Sequence, residues 1–381
     1  MIRFKGYGLE FPSMWKVSAC VSKWSILSLC LILTILAEAC SPAPTVNPTA
    51  SPNPIPVFAY YYIWFNTNSW NRAKSDYPQL GRYSSDDANV MRQHILWAKS
   101  AGINGFIVSW KNTSTLNRRL DQLVNIADQE NFKLAIIYEG LDFNRNPLPT
   151  DQISAGMDYF INRYSNNAAF DSFGKPMIIW SGTWKYSADE VAGVSQSRRA
   201  SLLILASEKN VQGYARLADF VDGNAYYWSS VNPDSFNGYA EKLTAMGEAV
   251  HARGGYWIAP ASPGFDARLV GGTSIVDRKN GDTLRKEMSV AYSSAPDVIG
   301  LISWNEFSEN SYIEPSQTYG DQYLKLMSDI RNLPNPQVSE FDSSDSGVSP
   351  YRFTFSQMTA LGILATLVFG ALVVILKRIK Q

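Results

Sequence analysis

Along the chain, short apolar runs alternate with stretches in which apolar residues recur every three or four positions. Val57–Trp64 (VFAYYYIW) is β-branched and aromatic, a strand composition. After the helix-start signal Ser84-Ser85-Asp86-Asp87, the residues Val90, His94, Trp97, Ala98 and Ala101 fall at helical spacing. The alternation then continues. Gly105–Trp110 reads as a strand, followed by a helix marked by Leu116, Leu120, Leu123 and Ala127. Lys133–Glu139 is a strand, followed by a helix through Ile153, Met157, Phe160, Ile161 and Tyr164. Further strands are predicted at Pro176–Trp180, Leu202–Ala206, Phe220–Trp228, Gly255–Ala259 and Val298–Trp304. Helices are predicted near Asp189–Arg199, Val211–Leu217, Tyr239–Val250 and Asp321–Arg331. Eight strands interleaved with helices over residues 57–333 predict a single α/β domain, a (β/α)8 barrel. An open doubly wound sheet would want a glycine-rich phosphate turn after the first strand, and Phe65-Asn66-Thr67-Asn68 stands there instead.

The pattern changes at both ends. Residues 1–40 place Arg3, Lys5, Lys16 and Lys23 ahead of an apolar run, Trp24–Leu36, that ends in Ala37-Glu38-Ala39-Cys40. That order reads as an export segment. Cys40, followed by a Pro/Ser/Thr tract, resembles a lipidation site; plain cleavage and an uncleaved anchor are the alternatives. Residues 41–56 are a proline-rich linker, and residues 334–357 a polar one. Residues 358–376 carry no charge and have the length of a membrane-spanning helix, with the basic tail 377–381 behind them. Positive flanks stay cytoplasmic, so the expected arrangement is a cell-membrane protein with its C-terminus inside and its barrel outside.

Composition sharpens this picture. The 381 residues hold 34 Lys+Arg and 34 Asp+Glu, but seven of the bases lie in the two end segments. The barrel is thus mildly acidic, which argues against a nucleic-acid partner. All three Cys (Cys20, Cys30, Cys40) precede the barrel, and the two His are far apart in sequence, so no cofactor or protein-built metal site is expected. His94 reads as a packed helix residue. Carboxylates, amides, hydroxyls and an aromatic excess remain for chemistry.

In a (β/α)8 barrel the active site forms at the C-terminal ends of the strands. Those ends here carry Tyr60-Tyr61-Tyr62, Trp110, Glu139, Tyr226-Tyr227-Trp228 and Trp304-Asn305-Glu306-Phe307-Ser308-Glu309. Any one ring taken singly is more readily a core residue; the clustering with acids is what points to sugars, whose apolar faces stack on rings while carboxylates and amides bind hydroxyls. Glu306 and Glu309, three apart behind an apolar strand, supply the two carboxyls that glycoside hydrolysis uses.

Three blocks, YYYIWF with the downstream YPQLGRYSS, WAKSAGINGFIVSW, and ISWNEFSENSYIEPS, resemble glycoside hydrolase family 99 and its wider clan, and the resemblance covers nearly all of residues 57–330. It implies a (β/α)8 enzyme cleaving α-linked oligo- or polysaccharides as an endo-α-mannosidase or endo-α-mannanase. It also implies retention without a protein nucleophile, the sugar's own 2-hydroxyl attacking the anomeric carbon. On this implication Glu306 is the base and Glu309 the acid/base, while Tyr60, Tyr61, Trp110, Glu139, Tyr227, Trp304 and Asn305 are candidates for binding substrate in a monomeric enzyme. The chain departs from the family where Phe307-Ser308 replaces Trp-His between the glutamates. A WbsX-type glycosyl-transferring enzyme of surface polysaccharide and a non-catalytic carbohydrate-binding barrel are the alternatives.

Overall fold

The structure, a computed structural model, describes residues 55–334. Eight strands pair in parallel and close into a barrel: β1 (Val57–Tyr62), β2 (Gly105–Trp110), β3 (Lys133–Glu139), β4 (Met177–Ser181), β5 (Leu203–Ala206), β6 (Gly223–Ala225), β7 (Tyr256–Ala261) and β10 (Val298–Leu301). Their order round the barrel is β1-β10-β7-β6-β5-β4-β3-β2, so the last strand seals against the first. Two short strands, β8 (Phe265–Asp266) and β9 (Ile275–Val276), form an antiparallel hairpin between β7 and β10. The helices are α1 (Ala88–Ser100), α2 (Ser114–Gln129), α3 (Thr150–Tyr164), α4 (Ala188–Ser195), α5 (Val211–Leu217), α6 (Tyr239–His251), α7 (Asp282–Ser293) and α8 (Gln322–Ile330). Side chains close several of their first turns, as at Asp87 on α1, Thr113 on α2 and the Ser187/Glu190 capping box on α4.

Parallel strands buried on both faces read as continuous apolar runs, and every residue of β1 and β2 is buried. Alternation along each strand divides them between two cores. Phe58, Tyr60, Ile107, Ala135, Ile137, Met177, Ile179, Leu205, Ile258 and Val298 fill the barrel interior. Their neighbours, among them Tyr61, Val108, Trp110, Tyr138 and Trp180, pack outward against the helices. Two glycines make room for interior rings. A Cβ on Gly105 would lie 2.5 Å from the Phe58 ring, and one on Gly300 would lie 3.0 Å from the Tyr60 ring.

The barrel is as the pattern predicts, with three local differences. The sixth strand stops at Ala225 rather than Trp228, because Trp228 turns aside to stack on Tyr239 of α6 at 4.8 Å. The eighth barrel strand stops at Leu301 rather than Trp304. The β8–β9 hairpin and α7 were not predicted: Leu284, Met288 and Ala291 of α7 have helical spacing but sit among charges behind a glycine-rich loop. Among the described residues no helix is long and apolar enough to cross a membrane. The export segment with Cys40, nearly all of both linkers, the uncharged run 358–376 and the basic tail lie outside the described residues.

Candidate active site

The turn after β10 carries both glutamates. It folds back on itself: Ser303 N donates to Ser311 O at 2.7 Å, Ile313 N to Ser303 O at 3.0 Å, and Ser311 N to Glu306 O at 3.3 Å. Inside this closed segment the Glu306 amide donates to Ser303 Oγ at 2.8 Å. The Ser308 amide donates to Glu306 Oε1 at 2.9 Å. Phe307 turns away from the barrel axis, stacking on Tyr312 at 3.9 Å and meeting Trp70 edge-on. It anchors the turn, and its neighbours to either side are left on the mouth.

Glu306 is buried, and burial pushes its carboxyl up to about 7; the Glu309 charge adds to this, while the Ser308 hydrogen bonds and Lys74 oppose it. Glu309 is half-buried and is raised as well, by burial first, with Arg145 pulling down and Glu139 pushing up. The three acids Glu139, Glu306 and Glu309 thus share one electrostatic neighbourhood. Glu139 projects from the end of β3, accepts from Ser109 Oγ at 2.7 Å, and is held above the ordinary carboxylate range by burial. Carboxyls raised above their ordinary range by burial are suited to proton transfer at ordinary pH.

Two phenols complete the mouth. The hydroxyls of Tyr62 and Tyr227 lie 2.6 Å apart, and burial raises both, with Glu306 and Glu309 adding to the rise. Tyr60 lies one layer deeper, 1% exposed, its ring edge-on to Tyr227 at 4.9 Å. Its hydroxyl has no hydrogen-bond partner among the described residues.

The structure therefore brings together Glu306, Glu309, Glu139, Tyr227 and, below them, Tyr60. It does not bring Tyr61, Trp110 or Trp304 to the mouth, and this corrects the expectation that they bind substrate. Strand alternation sends Tyr61 outward, stacked on Phe106 at 4.4 Å with its hydroxyl 3.0 Å from His94 Nδ1. Trp110, on the outer face of β2, donates from Nε1 to Asn117 Oδ1 of α2 at 3.0 Å. Trp304 is fully buried against His94 and Phe106. Asn305 acts one step back. It accepts from Tyr62 N at 2.9 Å and donates to Tyr62 O at 3.0 Å, so it holds the Tyr62 backbone in place. Sequence reasoning missed Tyr62, Lys74 and Arg145 as parts of the site. Tyr62 had a signal, since it stands two residues after Tyr60 and so on the same strand face. Lys74 and Arg145 sit on loops, where no periodicity reports direction.

Comparison with known proteins gives the chain a family. The family model described as Glycosyl hydrolase family 99 matches residues 66–334. A mouse (Mus musculus) glycoprotein endo-alpha-1,2-mannosidase is 23% identical over 287 residues, covering 66% of this chain and 59% of its own length. A human (Homo sapiens) glycoprotein endo-alpha-1,2-mannosidase-like protein is 23% identical over 284 residues, covering 66% of this chain and 60% of its own. The chain thus spans about three-fifths of these curated relatives. The solved structure of the GH99 endo-alpha-mannosidase from Bacteroides thetaiotaomicron, in complex with bis-tris propane, superposes with a TM-score of 0.65 at 19% identity. That superposition covers 73% of this chain and 97% of that one, and it supports the barrel fold. With a family match that runs from just beyond the first strand through the last helix, the chain belongs to glycosyl hydrolase family 99.

Proposed function

We propose that the chain hydrolyses α-linked glycans as an endo-acting α-mannosidase or mannanase, with retention through the sugar's own 2-hydroxyl. The observation that carries this reading is the pair Glu306 and Glu309 on one closed turn, both lifted by burial, beside the Tyr62–Tyr227 phenols. In the first step Glu306 takes the O2 proton and O2 attacks the anomeric carbon. The bond to the leaving oxygen breaks as Glu309 protonates that oxygen, giving a 1,2-anhydro sugar. In the second step Glu309 takes a proton from water, and the water oxygen opens the ring at the anomeric carbon. Glu306 then returns the proton to O2. Two displacements at one carbon give net retention, and every proton is returned.

The test is a panel of α-mannans, α-manno-oligosaccharides and α-glucans, with proton NMR of the first-formed anomer. The expected result is cleavage within an α-mannoside chain and an initial α-anomer. An initial β-anomer would refute the mechanism. Binding without turnover, or transfer of sugar only from an activated donor, would replace hydrolysis by one of the alternative functions.

The pH profile follows from the same groups. Glu306 works as a base only when ionised, and its carboxyl sits at about 7. On a substrate whose leaving group needs no proton, the first step should therefore slow about tenfold per unit as pH drops below roughly 7. Lys74 opposes the rise at Glu306, so Lys74→Met should move the acidic limb to higher pH. A limb near pH 4, where ordinary carboxylates titrate, would contradict the assignment.

We also propose that the barrel is displayed outside the cell membrane, tethered by residues 358–376. The support is the uncharged run itself and the basic residues Lys377, Arg378 and Lys380 behind it. Protease added to intact cells should digest the barrel and spare a C-terminal tag; a protected barrel would overturn this.

A further inference from the structure

Arg278 is a charged side chain only 5% exposed, placed behind the turn that bears the two glutamates. Its Nη2 donates to Asn310 O at 3.0 Å and to Tyr312 O at 2.8 Å, both carbonyls of that turn. Nε and Nη1 meet no hydrogen-bond partner among the described residues. What surrounds the guanidinium instead is aromatic. Its central carbon lies 4.6 Å from the ring centre of Tyr312, 4.7 Å from that of Tyr319 and 4.5 Å from that of Tyr323. The negative faces of three rings stand in for a counterion, an attraction that strengthens away from water.

The position of this cage matters more than its stability. Arg278 follows β9, and the hairpin to which β9 belongs also touches the turn: Asp266 N donates to Glu309 O at 2.7 Å. The carbonyls of Glu309 and Asn310 are thus held one after the other, by the hairpin backbone and by Arg278. Asn310 needs the second hold. Its φ is +50°, in the left-handed region that asparagine enters more readily than most residues but still at a cost relative to ordinary backbone. Gly264, at the base of the hairpin, leaves room for the arm, since a Cβ there would lie 2.6 Å from Arg278 Cγ.

We propose that Arg278, in its tyrosine cage, is a positioning residue that fixes the backbone on the C-terminal side of Glu309 and so aims that carboxyl at the leaving oxygen. The inference rests on the acid/base role given to Glu309 above. It separates Arg278 from Glu306, whose backbone is tied by Ser303 on the other side of the turn.

The test is Arg278→Lys. Lysine keeps the charge and the cation–ring attraction, but its shorter arm and tetrahedral ammonium do not place two donors where Nη2 places them against the Asn310 and Tyr312 carbonyls. Each variant is assayed on a mannosyl-mannose linkage, whose leaving sugar needs a proton, and on an α-mannobiosyl fluoride, whose leaving group needs little help. The expected result is a loss in kcat of about 10²-fold on the sugar linkage, the scale of a small misplacement of a catalytic group. KM should stay close to wild type, and the first step on the fluoride, read as the burst of fluoride release, should run at close to the wild-type rate. Tyr323→Leu, which removes one wall and leaves both hydrogen bonds, should move the same ratio in the same direction by less. Equal losses on both substrates, or no loss on either, would overturn the proposal. If wild-type protein cleaves neither substrate, the hydrolytic reading fails and amide hydrogen exchange decides the positioning. Exchange across residues 306–314 should quicken in Arg278→Lys while the barrel strands stay protected; an unchanged turn would refute it.

Discussion

Glu306→Gln is expected to lower kcat by about 10²–10⁴-fold on every substrate, the usual worth of a positioned acid or base. Glu309→Gln should lose as much on sugar leaving groups and far less on the first step with a fluoride. The asymmetry follows from the roles. Deprotonation of O2 is needed however good the leaving group is, whereas protonation of the leaving oxygen is needed only when that group is poor. The structure makes this a demanding test, because burial acts on both carboxyls and lifts Glu306 to about 7. Electrostatics alone would allow Glu306 to be the proton donor. Two features favour its anion: the Ser308 amide at 2.9 Å from Oε1 and the cation of Lys74. If Glu306→Gln spares the fluoride and Glu309→Gln does not, the two roles are exchanged. If both variants retain wild-type rates on all substrates, this turn is not the catalytic centre.

The barrel was legible because its signal is periodic and repeated. Eight apolar runs separated by helical spacing admit few topologies, and the ends of those runs locate the mouth without further information. Within the mouth, legibility followed strand parity. Glu139 and Tyr227 stand at positions that face the mouth. Tyr61 and Trp110 were assigned by their chemistry, although each stands one residue from an inward-facing position, Tyr60 or Tyr62 and Ser109. Trp304 was beyond such reasoning, since the strand ends at Leu301 and the alternation ends with it. The hold of Asn305 on Tyr62 spans 243 positions, and that of Arg278 on the turn joins two loops. Such contacts are set by tertiary packing, and no local pattern encodes them. Phe307-Ser308 shows the same division. Phe307 can be read as an apolar anchor, but the Ser308 amide at Glu306 is a property of backbone conformation.

His94→Leu is expected to cost about 3 kcal/mol of stability, the upper range for leaving buried hydrogen-bonding groups unsatisfied. His94 is fully buried, with Nε2 3.1 Å from Glu314 Oε1 and Nδ1 3.0 Å from the Tyr61 hydroxyl. With Nε2–H toward Glu314 and Nδ1 toward the phenol, the ring donates to the one and accepts from the other, satisfying both. Glu314 Oε2 accepts from Tyr83, and the Tyr83 hydroxyl accepts from Asn305 Nδ2 at 3.2 Å. Leucine would fill the space but leave the Glu314 oxygen without a donor and the Tyr61 hydroxyl without a partner, inside a cluster that water does not reach. For a domain of this size the midpoint of thermal unfolding should fall by roughly 10 °C, at about 2–4 °C per kcal/mol. Replacing Glu314 as well, in His94→Leu/Glu314→Leu, should recover part of the loss, because the stranded charge is then gone. The same network ends on Asn305, which holds Tyr62 at the mouth, so His94→Leu should also lower kcat while leaving the acidic limb of the pH profile in place. A single variant that melts within about 2 °C of wild type, against the expected fall, would show that the helix layer tolerates an unpaired Glu314 and that the network does not hold the mouth together.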